Sequence, residues 1–164
     1  MADLVMKKLV QDLPKDSAHS AIEFEIASAA TSTEEIGNPV YPPARRMLAM
    51  HGIDCSGKTA RQMTARDYEY YDYIVLMDRN NLRNLRWILP ADVYARETDS
   101  ARNLQPMDAG AGAVRRKVSL LMDWVGKSRD VADPWYTGDF VATWDDVNEG
   151  CKAMLAQIGH MFQA

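Results

Sequence analysis

Apolar positions near the start of the chain repeat with helical spacing and then with a period of two. The segment MADLVMKKLVQD predicts an amphipathic helix over residues 2–11, whose apolar face carries Leu4, Val5, Leu9 and Val10. The segment IEFEI at residues 22–26 alternates apolar and acidic side chains, and this alternation predicts a half-exposed strand.

Helix start and stop signals divide the next part of the chain. In VYPPARRMLAMHG, two prolines mark the start of a helix and Gly52 stands where a glycine ends one. Thr64 and Asp67 form a capping-box pattern that predicts a short helix. Asp78 is placed to cap a further helix, whose apolar face is formed by Leu82, Leu85 and Leu89.

Continuous apolar runs predict two buried strands, YDYIVLMD at residues 71–78 and KVSLLMDW at residues 117–124. The polar residues 90–116 between them predict a flexible loop insertion. Thr143 and Asp146 are predicted to open a last helix, whose apolar stripe carries Trp144, Val147, Cys151, Met154, Leu155 and Ile158. Strands that alternate with helices predict an α/β fold with a mainly parallel sheet.

Composition adds limits on size, partners and compartment. The 164 residues, 47% hydrophobic and 26% charged, predict a single globular domain over residues 1–164. A net charge of −4 provides no basic surface for nucleic acid or an anionic membrane, and no apolar run is long enough to span a bilayer. Two cysteines, Cys55 and Cys151, do not make a disulfide framework, which indicates the reducing cytoplasm.

The stretch HGIDCSGKTARQ matches two phosphate-binding patterns at once. Residues 52–59 fit the nucleotide-binding G-x-x-x-x-G-K-[ST] loop, and Cys55 and Arg61 have the C-x5-R spacing of cysteine-dependent phosphatases. Both chemistries require a loop that leaves a strand and enters a helix, whereas a helix is predicted before this loop. A nucleotide-binding protein nevertheless stays as an alternative, and it predicts magnesium-dependent nucleotide binding that Lys58→Ala abolishes.

Five segments in order carry a resemblance to a known family: SAATSTEEIGNPVYPPARR, HGIDCSGKTARQMT, YDYIVLMDRNNLRNL, KVSLLMDW and ADPWYTGDF. With them the chain resembles the low-molecular-weight protein tyrosine phosphatases, especially the bacterial members. The resemblance implies a three-layer α/β sandwich with a small parallel sheet of order 2-1-3-4. It also implies catalysis without a metal or another cofactor, and it makes residues 51–62 a connecting loop outside the catalytic loop.

The chain departs from the family pattern at its beginning. Family members start with a strand of type V-x-F-V-C, followed by a C-x5-R-S-P loop that supplies the cysteine nucleophile and the phosphate-binding arginine. Met1 matches the position just after this loop, so the resemblance implies a domain that is N-terminally incomplete and lacks the central first strand. We therefore expect a longer natural protein. The 164 residues alone are expected to be inactive, and to fold poorly or self-associate through exposed sheet edges.

The resemblance assigns roles to residues in the remaining half of the site. Asp133 matches the general acid that protonates the leaving tyrosyl oxygen, and Trp135 and Tyr136 resemble the aromatic wall beside a phosphotyrosine ring. Glu34 lies in the variable loop opposite, and Ser28 matches a serine that supports the catalytic loop. Each also has a purely structural interpretation, such as an Asp-Pro turn, a core tryptophan or a serine that ends a strand.

The function implied is hydrolysis of aryl phosphomonoesters through a cysteinyl-phosphate intermediate. The expected substrate is a phosphotyrosine protein or a small aryl phosphate. Arsenate reductase is a second possibility in the same fold and also needs the cysteine that is missing here, although the aromatic pair Trp135 and Tyr136 favours an aryl substrate. An alternative from another class is a non-catalytic binding or regulatory relic of the fold.

Overall fold

The computed structural model describes residues 1–102 and 117–161, and within them the contacts divide the chain into two compact units. The first unit comprises Met1–Ser28, Gly37–Ala60 and Ala132–Ala164, and the second comprises Ala29–Ile36 and Arg61–Val131. The prediction of a single domain over residues 1–164 stays a prediction.

The first unit is helical. It contains α1 (Ala2–Gln11), α2 (Pro42–Met50), the short α6 (Pro134–Thr137) and the long α7 (Phe140–Met161). Helices α1 and α2 both pack on α7, because the apolar stripe of α7 is buried along most of its length. The core side chains at these contacts are Val5, Met6, Met47, Leu48, Val147, Cys151, Met154, Leu155 and Ile158.

A histidine outside the helices packs closely on the last turns of α7. The ring of His19 makes a hydrogen bond of 2.7 Å between Nε2 and the carbonyl oxygen of Leu155. A Cβ atom at Gly159 would collide with the same ring, so only glycine fits at this position without displacing His19. This contact attaches the segment after α1 to the carboxyl end of α7.

The second unit contains the sheet. Its helices are α3 (Ala65–Tyr70), α4 (Arg79–Asn84) and α5 (Ala91–Arg102), and its strands are β1 (Ile74–Leu76) and β2 (Val118–Leu120). The strands pair in parallel, with Ile74 opposite Val118 and Leu76 opposite Leu120. The predicted α/β class with a small parallel sheet is thus confirmed. The buried side chains around the sheet are Met63, Ile74, Leu76, Leu85, Leu89, Val118 and Leu120.

Local capping signals predict the starts of α3 and α4 correctly. The Thr64 amide donates to the Asp67 carboxylate at 2.8 Å, and the Asn81 amide donates to Asp78 at 2.6 Å, so both predicted caps are present. Gly52 follows the end of α2 with φ +70°, a left-handed conformation that glycine adopts without steric cost.

The predicted strand at residues 22–26 is wrong. Its side chains do alternate between half-buried and exposed, but no strand is present over residues 22–29. A strand requires a continuous ladder of backbone hydrogen bonds with a neighbour, which an alternating pattern alone does not supply. The nearest bridge in sequence is an isolated parallel one between Ala30 and Gln62.

The second predicted strand, residues 117–124, is correct only for its first half. After β2 the chain enters a 3-10 helix at Leu121–Val125, which ends at Gly126 with φ +75°. The carboxylate of Asp123 accepts a hydrogen bond of 2.8 Å from the Leu120 amide. This bond turns the backbone out of the extended conformation, so the apolar run is divided between a strand and a helical turn.

The prediction of a flexible loop over residues 90–116 is wrong for its first part, because residues 91–102 form α5. Asp92 lies in the first turn of α5, where a negative charge is favourable. Glu97 is buried in spite of its charge and accepts a hydrogen bond from the hydroxyl of Tyr68. Burial and this hydrogen bond raise the pKa of Tyr68. The remaining predicted loop residues, 103–116, lie outside the described part of the chain.

Candidate active site

Asp133 stands at the N-terminus of α6, in the first unit. Its Oδ1 atom accepts a hydrogen bond of 2.9 Å from the Trp135 amide, so the carboxylate caps the helix. Pro134 occupies the first helical position, where its fixed φ suits the backbone and no amide hydrogen is needed. Gly138, with φ +69°, ends α6 after a single turn. The Asp-Pro pair therefore orients an exposed carboxylate.

Two side chains of α7 hold the backbone immediately before Asp133. The Thr143 hydroxyl donates to the carbonyl oxygen of Ala132 at 2.7 Å, and the Ala132 amide donates to Oδ2 of Asp146 at 2.9 Å. Both side chains were predicted to open α7, and that prediction is wrong because α7 starts at Phe140. The carboxylate of Asp139 caps α7 instead, accepting from the Ala142 amide at 2.9 Å.

An exposed aromatic surface adjoins Asp133. The side chain of Trp135 is 69% exposed, which excludes its interpretation as a core residue. The centroid of its ring lies 5.4 Å from that of the Tyr41 ring, and the centroid of the Tyr41 ring lies 6.0 Å from that of Phe140. These rings line an open groove together with Arg46 and Met50. The side chain of Tyr136, the second predicted wall residue, lies outside the described part of the structure.

Ser28, itself exposed, lies beside the buried carboxylate of Asp3 at the start of α1. Its hydroxyl donates a hydrogen bond to the carboxylate of Asp3, which also pairs with the ammonium group of Lys58. Burial by itself would raise the pKa of Asp3, but the hydrogen bond from Lys58 and the nearby positive charges outweigh it. The pKa of Asp3 is therefore below its usual value.

Glu34 lies in an exposed turn of the second unit. Close to it in sequence, the hydroxyl of Thr31 accepts hydrogen bonds of 3.3 Å from the side-chain amides of both Asn81 and Asn84. The start of this loop is therefore attached to α4, while Glu34 itself is open to solvent.

The pattern at residues 52–59 lacks the structure of a phosphate-binding loop. It follows helix α2, and the next helix, α3, does not start until Ala65. The ammonium group of Lys58 pairs with the carboxylate of Asp3, so its positive charge is already compensated within the protein. Arg61, the second half of the C-x5-R spacing, makes two hydrogen bonds of 2.9 and 3.0 Å to the carboxylate of Asp67.

Neither cysteine has the environment of a nucleophile. Burial raises the pKa of the Cys151 thiol to about 12, so this thiol stays protonated at neutral pH. Its Sγ atom lies 3.6 Å from the carbonyl oxygen of Ala2 in the contact between α1 and α7. Cys55 is also buried, in the loop after α2.

Within residues 1–102 and 117–161, two features are absent, a metal-binding cluster and a membrane-spanning helix. In that part of the chain, no three side chains of His, Cys, Asp or Glu are arranged so that they could hold a metal ion. Of the helices within residues 1–102 and 117–161, none combines the length and apolar character needed to cross a membrane.

Sequence reasoning missed three residues at this site. Tyr41 precedes the prolines of α2, and no local pattern indicates that its ring contacts Trp135. Thr143 and Asp146 did carry a signal, since both fall on the apolar stripe of α7 at helical spacing. Polar side chains on a buried stripe indicate specific hydrogen-bond partners, because an unpaired polar group there would be costly.

Comparisons with known proteins agree with this fold. The family model described as low molecular weight phosphotyrosine protein phosphatase matches residues 6–96 and 93–164. The protein of that name from Gallus gallus is 31% identical over 157 residues, which cover 94% of this chain and 84% of the relative. The low molecular weight protein-tyrosine-phosphatase YfkJ of Bacillus subtilis is 31% identical over 133 residues, covering 80% of this chain and 72% of YfkJ.

Solved structures give the same result. The crystal structure of YfkJ superposes with a TM-score of 0.69 at 27% identity, covering 98% of this chain and 86% of that one. SP-PTP, a low molecular weight protein tyrosine phosphatase from Streptococcus pyogenes, superposes with a TM-score of 0.65 at 30% identity, with coverages of 95% and 81%. The chain therefore belongs to the low molecular weight phosphotyrosine protein phosphatase family.

Proposed function

We propose that this protein takes part in the hydrolysis of aryl phosphomonoesters, with Asp133 as the general acid. The observation that carries the proposal is the oriented, exposed carboxylate at the start of α6, beside the exposed rings of Trp135 and Tyr41. A carboxyl group next to an aromatic surface suits a substrate in which a phosphate is attached to an aromatic ring.

The chemistry requires such an acid because a phenolate is a poor leaving group. When a thiolate attacks phosphorus, the P–O bond to the ring breaks and the departing oxygen takes the proton of Asp133. The product at this stage is a phenol and a cysteinyl phosphate. Water then attacks the cysteinyl phosphate, with the Asp133 carboxylate as the base that accepts its proton, and releases inorganic phosphate.

Neither Cys55 nor Cys151 is suited to supply the thiolate for this reaction. Cys151 is protonated at neutral pH and packed between helices, and Cys55 is buried beyond the carboxyl end of α2. A nucleophilic cysteine needs a lowered pKa, which the amides at a helix N-terminus provide. We infer that the 164 residues alone are inactive, and that the nucleophile and the phosphate-binding arginine belong to a C-x5-R-S-P loop in the complete protein.

The wall of the site is proposed to select the substrate. Trp135 and Tyr136 would pack on the ring of a phosphotyrosine protein or a small aryl phosphate, and Glu34 is proposed as a further substrate-binding residue. Ser28, which bonds to Asp3 at the start of α1, would support the catalytic loop. If Trp135 binds the ring, Trp135→Ala raises KM for 4-nitrophenyl phosphate more than KM for an alkyl phosphate.

The test compares proteins with and without the loop. The assay measures 4-nitrophenol release by the 164-residue chain, by the product of any reading frame that continues upstream of Met1, and by that product with its loop cysteine changed to serine. We expect turnover only in the second, and we expect Asp133→Asn to lower its kcat by about 10²–10⁴. Asp145, an exposed neighbour of the acidic residue Asp146, provides the control variant Asp145→Asn.

Three results would contradict the proposal. Turnover by the 164-residue chain would show that the nucleophile lies within it. An in-frame stop directly before Met1, with no strand and no C-x5-R-S-P, would show that the gene does not encode the longer enzyme. An inactive longer protein that carries the loop would instead favour the binding or regulatory relic.

Assembly and compartment are secondary proposals. In the described part of the chain β1 pairs with β2 only, and an unpaired strand edge promotes association between chains. We therefore propose that the 164-residue chain self-associates, which light scattering after size-exclusion chromatography measures. The free thiols of Cys55 and Cys151 are consistent with a reducing cytoplasm.

A further inference from the structure

Thr143 and Asp146 are buried polar residues of α7 that do not serve as its N-terminal cap. Only 8% of Thr143 and 6% of Asp146 are exposed to solvent. Helix α7 starts at Phe140 and is already capped by Asp139, so neither Thr143 nor Asp146 is its capping residue. Burying a hydroxyl and a carboxylate costs free energy unless each finds hydrogen-bond partners, so their role lies in what they bind.

Both side chains bind Ala132, one at each of its backbone groups, and the Thr143 hydroxyl also donates to the Asp139 carbonyl oxygen at 3.3 Å. The Ala132 carbonyl oxygen accepts from Thr143 at 2.7 Å, and the Ala132 amide donates to Asp146 at 2.9 Å. The carbonyl of residue 132 lies in the same planar peptide unit as the nitrogen and Cα atoms of residue 133. A bond from a rigid helix to this carbonyl therefore fixes where the backbone of Asp133 begins.

Asp133 itself is held by further contacts, with residues of α6 on its C-terminal side. Its Oδ1 atom accepts from the Trp135 amide, and the hydroxyl of Thr137 donates to the Asp133 carbonyl at 3.2 Å. The backbone is thus held by α7 on one side and the carboxylate by α6 on the other. An acid must lie within hydrogen-bond reach of the leaving oxygen, and a displacement of about 1 Å can cost about 10²-fold in rate.

We propose that Thr143 and Asp146 are positioning residues, which hold the Asp133 carboxylate at the place where it protonates the leaving group. This inference rests on the proposed role of Asp133 as the general acid. A merely structural role, in which the two residues only attach the loop to α7, predicts lower stability without any change in how the reaction depends on the leaving group.

The kinetic test uses the active protein and two substrates. Phenol leaves as a far more basic oxygen than 4-nitrophenol, so phenyl phosphate depends more on the acid. We expect Thr143→Val and Asp146→Ala to lower kcat/KM for phenyl phosphate at least about 10-fold more than kcat/KM for 4-nitrophenyl phosphate, because kcat/KM reports the step in which the phenol leaves. Thr143→Ser and Asp146→Asn keep a donor and an acceptor and should restore most of the rate. Asp145→Ala is the control from the exposed side of α7.

A second readout needs no activity. Hydrogen exchange in the 164-residue chain reports the amides of Ala132 and Trp135, whose acceptors are Asp146 and Asp133. We expect Asp146→Ala to speed exchange at both amides by about 10-fold or more, while Asp145→Ala leaves both unchanged.

The outcomes separate the two proposals. If no form of the protein hydrolyses aryl phosphates, the proposed function fails and the exchange of the Trp135 amide alone decides whether α7 positions the carboxylate. Unchanged exchange at Trp135 in both Thr143→Val and Asp146→Ala overturns the inference. Faster exchange with an unchanged ratio of the two kcat/KM values in an active protein also overturns it, because Thr143 and Asp146 then only attach the loop to α7.

Discussion

Replacing Lys58 by methionine removes the cation that faces the buried carboxylate of Asp3. Only 2% of the Asp3 side chain is exposed, whereas 25% of the Lys58 side chain is. Breaking a buried ion pair by removing one partner costs about 3–5 kcal/mol, because the remaining charge has lost its compensation. The amino group of Met1 lies 3.6 Å from the same carboxylate and keeps part of that compensation. We therefore expect a loss of about 2–3 kcal/mol in the free energy of unfolding at pH 7.

The pH dependence follows from the pKa of Asp3. In the unchanged chain the folded-state pKa lies below 3.8, so the pair contributes stability above that pH and loses it as the pH falls through the folded-state value. Without Lys58 the effect of burial on Asp3 is no longer outweighed, and its folded-state pKa rises. The free energy of unfolding of the Lys58→Met variant is then reduced most at neutral pH. Its difference from the unchanged chain becomes smaller at low pH, where Asp3 is protonated in both the folded and the unfolded state.

Urea unfolding followed by tryptophan fluorescence measures this loss, since Trp124 is buried and reports on unfolding. The matched control is Lys8→Met, because Lys8 pairs with Asp12 in a contact where the two side chains are 41% and 56% exposed. An exposed pair of this kind should contribute no more than about 0.5 kcal/mol. Equal losses in the two variants, or a deficit for Lys58→Met that is the same at about pH 7 and about pH 4, refute the reasoning.

The same unfolding assay checks two further variants. Leu85 is fully buried in the core of the second unit, and Leu85→Ala should cost about 2–5 kcal/mol; a loss below about 1 kcal/mol would show that the core closes around the cavity. Gly126→Ala should cost about 1 kcal/mol through backbone strain alone, because φ is +75° and nothing lies within 4 Å of the added Cβ atom. With a pKa of about 12, the thiol of Cys151 should resist iodoacetamide in the folded chain at about pH 8 and react after denaturation. Modification of native Cys151, seen by mass spectrometry of its peptide, would contradict its burial.

Features set by neighbouring residues were predictable from the sequence. The cap at Asp78 and the capping box of Thr64 and Asp67 depend on side chains that reach only three residues along the chain. The left-handed turn at Gly52 depends on one residue that lacks a Cβ atom. For such features the physical cause lies entirely within a short segment, so the pattern and the structure agree.

Features that depend on residues distant in sequence were not predictable from local patterns. The alternation at residues 22–26 predicted which side chains are half-buried, but a strand also needs a paired neighbour. Helix α5 was hidden by its polar composition, because the burial of Glu97 is compensated by Tyr68, 29 positions earlier in the chain. Residues 121–124 are an exception, because the contact of Asp123 with Leu120 spans only three residues but lies in a segment whose composition predicts a strand.

The candidate site divides in the same way. The resemblance to the family indicated Asp133 and Trp135, since both stand in a short motif. The contact of Tyr41 with Trp135 joins positions 94 residues apart, so no local pattern could reveal it. Asp146 was interpreted as part of a helix start because spacing alone does not distinguish a cap from a side chain that binds another loop.

The 22 residues of α7 connect sites that are far apart along one rigid rod of about 33 Å. Thr143 holds the segment before Asp133 near one end, and Leu155 and Gly159 receive His19 near the other. An insertion or deletion of one residue between them would rotate one end against the other by about 100° and shift it by about 1.5 Å. Helix α7 could then no longer contact both the segment before Asp133 and the ring of His19. We expect relatives to vary in length before Phe140 and to keep the spacing from Thr143 to Gly159 constant.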